Sequence, residues 1–260
     1  MEIFRKMSFA DSTGDAIPFY HEGKYHIFSL TSPPGTTVYP ERLRTTWSHS
    51  ISDDLVHWQE LPTALYPGEG DEPDASGVWT GSVIYGEGQY HAFYTGYCLT
   101  AEFQQTICHA TSDDGITWTK DIANPVITPM TELYEKLDWR DPYVFYNEED
   151  ENYWILISAR RLDMPVTRRG CIVLYRSMNL KDWTYYGPIY SPGHTNCPEC
   201  PEMYKMGGHW YLSYSRFSEF VNTIYRVSES PFGPWRKPKK DGIGGRRIYA
   251  AKSLQNDDGR

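Results

Sequence analysis

Along this chain, apolar and polar residues alternate with a period of two in short runs, and the runs come in pairs. Four pairs stand out, at residues 18–28, 82–94, 142–156 and 201–212. In each, an aromatic-rich run stops at a polar turn with Gly or Asn, and a second aromatic-rich run follows. This pattern predicts a β-hairpin. A further strand-like run comes next, such as 105–110 or 170–175. It leads into a Ser/Asp-rich turn closed by Trp, at 52–58, 112–118, 177–183 and 228–235. A short strand after the Trp, as at 59–62, ends the unit. Helical periodicity is confined to residues 131–137, one or two turns at most.

The closing residues Trp58, Trp118, Trp183 and Trp235 are spaced by 60, 65 and 52 residues. Four antiparallel strands at such a period make one propeller blade, and the Trp residues are read as packing between blades. Four full repeats do not fill the chain. A fifth begins near Arg247 and reaches the turn Asn256–Gly259. The expected fold is therefore all-β, a five-bladed propeller of four-stranded blades whose fifth blade is incomplete. The expected boundaries are 15–65, 78–128, 140–190, 199–240 and a partial 246–260, all within one catalytic domain. An unfinished blade would expose a sheet edge that invites pairing.

Composition narrows the classes. At 260 residues, 40% hydrophobic and 15% aromatic, the chain can bury a sizeable core without staples. No run approaches the 18 or more apolar residues of a membrane span. Its start, Met1–Met7, carries no hydrophobic signal region, so a cytoplasmic location is expected. A net charge of −9 repels phosphate backbones and argues against nucleic-acid binding. The basic stretch from Arg236 to Arg247 reads as a solvated loop. Five Cys are too few for a disulfide scaffold. Cys98, Cys108 and Cys171 read as small buried hydrophobes. Cys197 and Cys200 form a CxxC, but it has no second pair for a zinc ribbon and no strand-to-helix context for redox work. The eight His residues show no ligand spacing. Gly242–Gly245 lacks the Lys-Ser/Thr of a phosphate loop.

The candidate chemistry lies just ahead of the hairpins. Gly14-Asp15 precedes Pro18, Arg140-Asp141 precedes Pro142, and Glu199-Cys200 precedes Pro201. Blade two has Val78-Trp79-Thr80-Gly81-Ser82 instead. Repeat register predicts that the three carboxylates gather at one mouth of the central channel. Any single one of them reads as turn chemistry. Three in one register point to acid–base work, because convergent like charges raise each other's proton affinities. Glycoside hydrolysis needs such a set: one protonated carboxyl and one ionised carboxylate.

These residues carry a family resemblance. The segment Trp47-Ser48-His49 through Ser52-Asp53-Asp54 to Trp58 resembles the hallmark segment of glycoside hydrolase family 32, the family of invertases, levanases and inulinases. Gly77–Ser82 is similar to its aromatic-Ser-Gly-Ser motif, Arg140-Asp141-Pro142 to its Arg-Asp-Pro motif and Glu199-Cys200-Pro201 to its Glu-Cys-Pro motif. Tyr249–Ala251 and Asp257–Arg260 resemble its fifth-blade segment. The resemblance implies a fructoside-cleaving, retaining glycosidase. It makes Asp15 the nucleophile, Glu199 the acid/base and Asp141 the transition-state stabiliser, with Arg140 beside it. Trp79 and Ser82, with Trp47 and His49, would form the sugar-binding rim. It implies an oligosaccharide or small glycoside substrate and no metal or organic cofactor. The chain departs from the family in two places. The usual Trp-Met-Asn-Asp-Pro-Asn-Gly is here Ser12-Thr13-Gly14-Asp15-Ala16-Ile17-Pro18, and the family's Tyr-Gln after the first hairpin is replaced by Ser29-Leu30.

Two alternatives stay open on the sequence. An inverting arabinosidase or xylosidase resembling glycoside hydrolase family 43 would use Asp15 as general base. A carbohydrate-binding propeller would use none of the acids catalytically. A carboxyl separation of about 5 Å between Asp15 and Glu199 implies retention, and one of roughly 6.5–9.5 Å implies inversion.

Overall fold

The computed structural model describes residues 12–36, 38–218, 220–245 and 248–259. These contain fifteen strands, in chain order: β1 Thr13–His21, β2 Lys24–Thr31, β3 Thr46–Ser52, β4 Trp58–Leu65, β5 Gly77–Gly86, β6 Gln89–Tyr97, β7 Gln105–Ser112, β8 Thr119–Lys120, β9 Arg140–Asn147, β10 Asn152–Arg160, β11 Gly170–Ser177, β12 Thr184–Tyr190, β13 Glu199–Met206, β14 His209–Arg216 and β15 Asn222–Ser228. Each sheet is antiparallel and built from consecutive strands: β1–β4, β5–β8, β9–β12 and β13–β15. These are four blades of an all-β propeller. Residues 131–137 form a turn rather than a helix.

The described residues fall into two compact units. One runs up to Val126 and includes the stretch from Ser253 onward. The other is Ile127–Lys252. The first holds blades one and two around Ile17, Phe28, Trp47, Val78 and Tyr94. The second holds blades three and four around Trp154, Leu174, Met203, Trp210 and Leu212. The near-continuous apolar run of β10 is buried over almost its whole length, as expected of a strand covered on both faces.

Repetition shows at the level of side chains. Tyr20 and Tyr25, Tyr85 and Tyr90, Tyr146 and Tyr153, and Tyr204 and Tyr211 face one another across the four hairpins. Their ring centroids are 4.8, 5.0, 5.0 and 5.5 Å apart. Such aromatic pairs contribute about 0.5–1.5 kcal/mol each beyond area burial. The Trp-closed turns repeat as well. Ser52 Oγ accepts from Asp54 N, and Asp54 Oδ1 accepts from Val56 N and His57 N. Asp114 and Asn179 hold their turns in the same way. These local bonds explain why Ser and Asp recur there.

Two expectations need correction. Blade four has three strands, not four. After Trp235, among the described residues, the chain pairs with β15 only at two isolated bridges, Val227–Arg236 and Ile224–Gly242, and forms no continuous strand beside it. Pro234 and Pro238 flank the first bridge and lack the N–H a ladder needs. The described part of the fifth repeat, 248–259, contains no strand. Its amides are satisfied by side chains instead: Ala250 N donates to Ser215 Oγ, and Ala251 N to Thr223 Oγ1. Asn256–Gly259 does form the expected turn, closed by Gly259 N to Asn256 O. Tyr20 and Tyr25 hold it through Asp257 and Asn256. The expectations on Met1–Met7, Arg246, Arg247 and Arg260 lie outside the described residues.

Candidate active site

The first strand of every blade carries a β-bulge at the same point. Thr13 pairs with Thr31 and Ala16 with Ser29, so Gly14 and Asp15 oppose one residue, Leu30. Trp79 and Thr80 oppose Thr95, Asp141 and Pro142 oppose Ile157, and Cys200 and Pro201 oppose Tyr214. A bulge re-aims side chains and is common beside active sites. The structure refines the expected shared register. Glu199 sits just before its bulge, Asp141 is the first bulged residue and Asp15 the second. Asp141 and Cys200 occupy equivalent positions, and both are left-handed, at φ 58° and 50°. Such a conformation costs of order 1–3 kcal/mol for a non-glycine residue and persists only where the surroundings enforce it.

In the second unit, Arg140, Asp141 and Glu199 come together. Arg140 Nη2 donates to Glu199 Oε1 at 2.7 Å, and Nη1 donates to Asp138 Oδ1 at 2.5 Å. Its Nε lies 3.9 Å from Asp141 Oδ2. Burial opposes the guanidinium charge, but Cys197, Asp141, Glu199 and Asp138 around it push its pKa above the ordinary arginine value. Asp141 is buried and accepts from Cys200 N at 2.9 Å. The Tyr249 hydroxyl donates to Glu199 Oε2. Glu199 is therefore held at one oxygen by a cation and at the other by a phenol. Both thiols of the CxxC are buried and neither is in a disulfide. Burial pushes the Cys197 thiol well above the usual thiol range, which leaves it unreactive.

In the first unit, Asp15 lies on β1 and accepts a hydrogen bond from Thr80 Oγ1 at 2.5 Å. Thr80 occupies in blade two the bulge position that Asp15 occupies in blade one. Trp79, half-buried, stacks on Tyr97 with centroids 4.1 Å apart and donates from Nε1 to Leu43 O. Ser82 is buried further along β5.

Two expected rim residues are core residues. Trp47 and His49 have no exposed surface. Trp47 Nε1 donates to Trp79 O, so it supports Trp79 from behind. His49 Nε2 lies 3.0 Å from His26 Nδ1 and stacks on Phe28. Blade two repeats this arrangement with His91, His109 and Phe93. Central strands direct these side chains into the packed interior, out of reach of a sugar.

The buried pair has a consequence for stability. Burial lowers the His26 pKa to about 4 and the His49 pKa to about 3, so both are neutral when folded. The unfolded chain takes up protons near pH 6.5. Their contribution is thus complete above about pH 6.5 and is lost as pH falls toward 4. Calorimetry should show Tm dropping across that window, with a shallower slope in His49→Leu. Equal slopes would contradict the assignment.

Sequence reasoning did not single out Thr80, Asp138 or Tyr249 as site residues. Their roles depend on partners 65, 2 and 50 residues away, respectively. For Tyr249 the only local signal was its place in the fifth repeat.

Comparisons with known proteins establish the family. The model of the glycosyl hydrolases family 32 N-terminal domain matches residues 15–260. The sucrose-6-phosphate hydrolase of Zymomonas mobilis is 27% identical across 93% of this chain and 49% of its own length. The levanase of Bacillus subtilis is 33% identical across 72% of this chain and 26% of its own. Among solved structures, a Bombyx mori beta-fructofuranosidase superposes with a TM-score of 0.76 at 23% identity, covering 94% of this chain and 53% of that one. Fructan 1-exohydrolase IIa from Cichorium intybus gives 0.73 at 25% identity, covering 89% and 44%. The chain spans about half the length of such relatives, or less. The alternative resemblance to family 43 gives way to these matches: the chain belongs to family 32 of the glycosyl hydrolases.

Proposed function

We propose that this protein hydrolyses fructosides by a retaining mechanism, with Asp15 as nucleophile, Glu199 as acid/base and Asp141 as transition-state stabiliser. The observation that carries the reading is the Glu-Cys-Pro carboxyl held by Arg140 and Tyr249, beside the Arg-Asp-Pro carboxylate, in a chain of this family. The relatives named above act on sucrose 6-phosphate, levan and fructan, which supports a fructosyl substrate. In the same reading the catalytic domain is a five-bladed propeller, and residues from about 246 onward contribute to blade five.

The chemistry has two steps. Glu199, protonated, gives its proton to the glycosidic oxygen while an Asp15 oxygen attacks the anomeric carbon. The bonding pair leaves with the departing alcohol. Glu199 then takes a proton from water, whose oxygen displaces Asp15 and frees the sugar. Asp15 must be ionised and Glu199 protonated at the start. Thr80 orients the nucleophile, because its hydroxyl donates to the Asp15 carboxylate.

The departures around Asp15 leave the leaving group open, so the test is a panel: sucrose, sucrose 6-phosphate, inulin- and levan-type oligosaccharides, and aryl pentosides. Fructose release is expected, abolished in Asp15→Asn, with the first-formed anomer retaining the substrate configuration by NMR. Pentose release, or turnover surviving in Asp15→Asn, would overturn the reading.

A further inference from the structure

The carboxyl of Glu199 stands at one end of a chain of ion pairs that runs through the second unit. Arg140 bonds Glu199 at 2.7 Å and Asp138 at 2.5 Å. Arg160 Nε lies 3.2 Å from the other Asp138 oxygen and 2.5 Å from Glu135. Arg169 closes the chain on Glu135 at 2.5 Å. Backbone carbonyls anchor the far members: Arg160 donates to Asn196 O and Val166 O, and Arg169 to Met164 O. The side chains of Arg140 and Arg160 are only 10% and 7% exposed, so water screens them little.

We infer that Asp138 is a positioning residue for Glu199: shared between Arg140 and Arg160, it holds the Arg140 guanidinium against the Glu199 carboxyl and takes up part of its charge. The inference rests on the acid/base reading of Glu199. Two physical effects follow from the geometry. Asp138 fixes one end of the guanidinium fork, so the other end meets Glu199 in a single orientation. It also offsets a cation that would otherwise favour the ionised form of Glu199, the form unable to protonate a leaving group. Among the described residues, the other charged or titratable groups around this cluster include Asp141, from β9, with Cys197, Cys200 and Tyr249. Asp141 is oriented by Cys200 N, and Lys252 Nζ donates to Pro201 O. Asp138 is the carboxylate that Arg140 shares with a second arginine.

The test is the pH dependence of kcat/KM on a fructoside in the whole protein, for wild type, Asp138→Asn, Asp138→Glu and Glu199→Gln. With Asp138 neutral, Arg140 favours ionised Glu199 more strongly. The alkaline limb, where the acid loses its proton, is expected to move down by about one pH unit. Asp138→Glu should restore much of the wild-type position. If Asp138→Asn does not fold, Glu135→Gln gives a smaller shift in the same direction, because Arg160 then claims more of Asp138. An unmoved limb with reduced kcat would mean that Asp138 only braces the fold, and would overturn the inference. Glu199→Gln should lose the alkaline limb. If it keeps the limb, the acid/base reading fails and the inference falls with it.

Discussion

Glu199→Gln is expected to lower kcat/KM for fructoside hydrolysis by about 10²–10⁴-fold, the usual worth of a positioned general acid. The amide keeps the shape of the carboxyl and an oxygen for the Arg140 hydrogen bond, but has no proton to give. Folding should be little affected, because Asp138 and Asp141 still surround Arg140. The binding of a sugar ligand should survive. That combination separates an enzyme from a carbohydrate-binding propeller, in which the same variant would change neither property. The checks are steady-state kinetics and calorimetric titration with fructose on both proteins. Turnover within about threefold of wild type would remove Glu199 from the proton-donor role assigned by general acid catalysis.

Gly81→Ala is expected to cause the largest loss of stability, about 3 kcal/mol or more, from overpacking against an unyielding backbone. A Cβ at Gly81 would overlap the Phe93 carbonyl oxygen and lie 2.7 Å from Tyr94 Cα. Both atoms belong to β6, which is hydrogen-bonded on one side to β5 and on the other to β7 and cannot retreat. For a chain of this size each kcal/mol corresponds to about 2–4 °C in Tm. Gly81 also follows the bulge that aims Thr80 at Asp15, so a shifted β5 should reduce activity in the surviving folded fraction. Gly245→Ala is the control, since nothing lies within 4 Å of its added Cβ. Thermal unfolding of the two variants decides the matter. A Gly81→Ala protein as stable as Gly245→Ala would contradict the close approach of β5 and β6. The glycine of the aromatic-Ser-Gly-Ser-like motif thus answers to strand packing, while its neighbour Thr80 bonds Asp15.

The burial of His49 shows where family resemblance and repetition pull apart. The resemblance placed it on the sugar rim. Yet Tyr25-His26-Ile27-Phe28 and Tyr90-His91-Ala92-Phe93 are near copies, and each finds a second histidine one strand later, His49 and His109. A feature present in two blades serves what the blades share, which is packing. The positions proposed to carry the chemistry differ from blade to blade: Asp15, Thr80, Arg140-Asp141 and Glu199. The same criterion marks the tyrosine pairs as scaffold.

The linear chain makes legible the strands of blades one to three, the four hairpins, the Trp-closed turns and the positions of the three acids. All of these follow from interactions between residues a few places apart: alternation across a pleat, Asx-type bonds within a turn, and a tyrosine facing its partner across a tight hairpin. Tertiary structure alone decided the offset of Asp15, Asp141 and Glu199 around their bulges, because one extra residue in a ladder depends on its partner strand. It also decided the burial of Trp47 and His49, the Thr80–Asp15 bond and the ion-pair chain from Glu199 through Arg140 and Asp138 to Arg160. Each rests on atoms brought together by packing from distant points in the chain, and the local pattern of polar and apolar residues carries no record of such pairings.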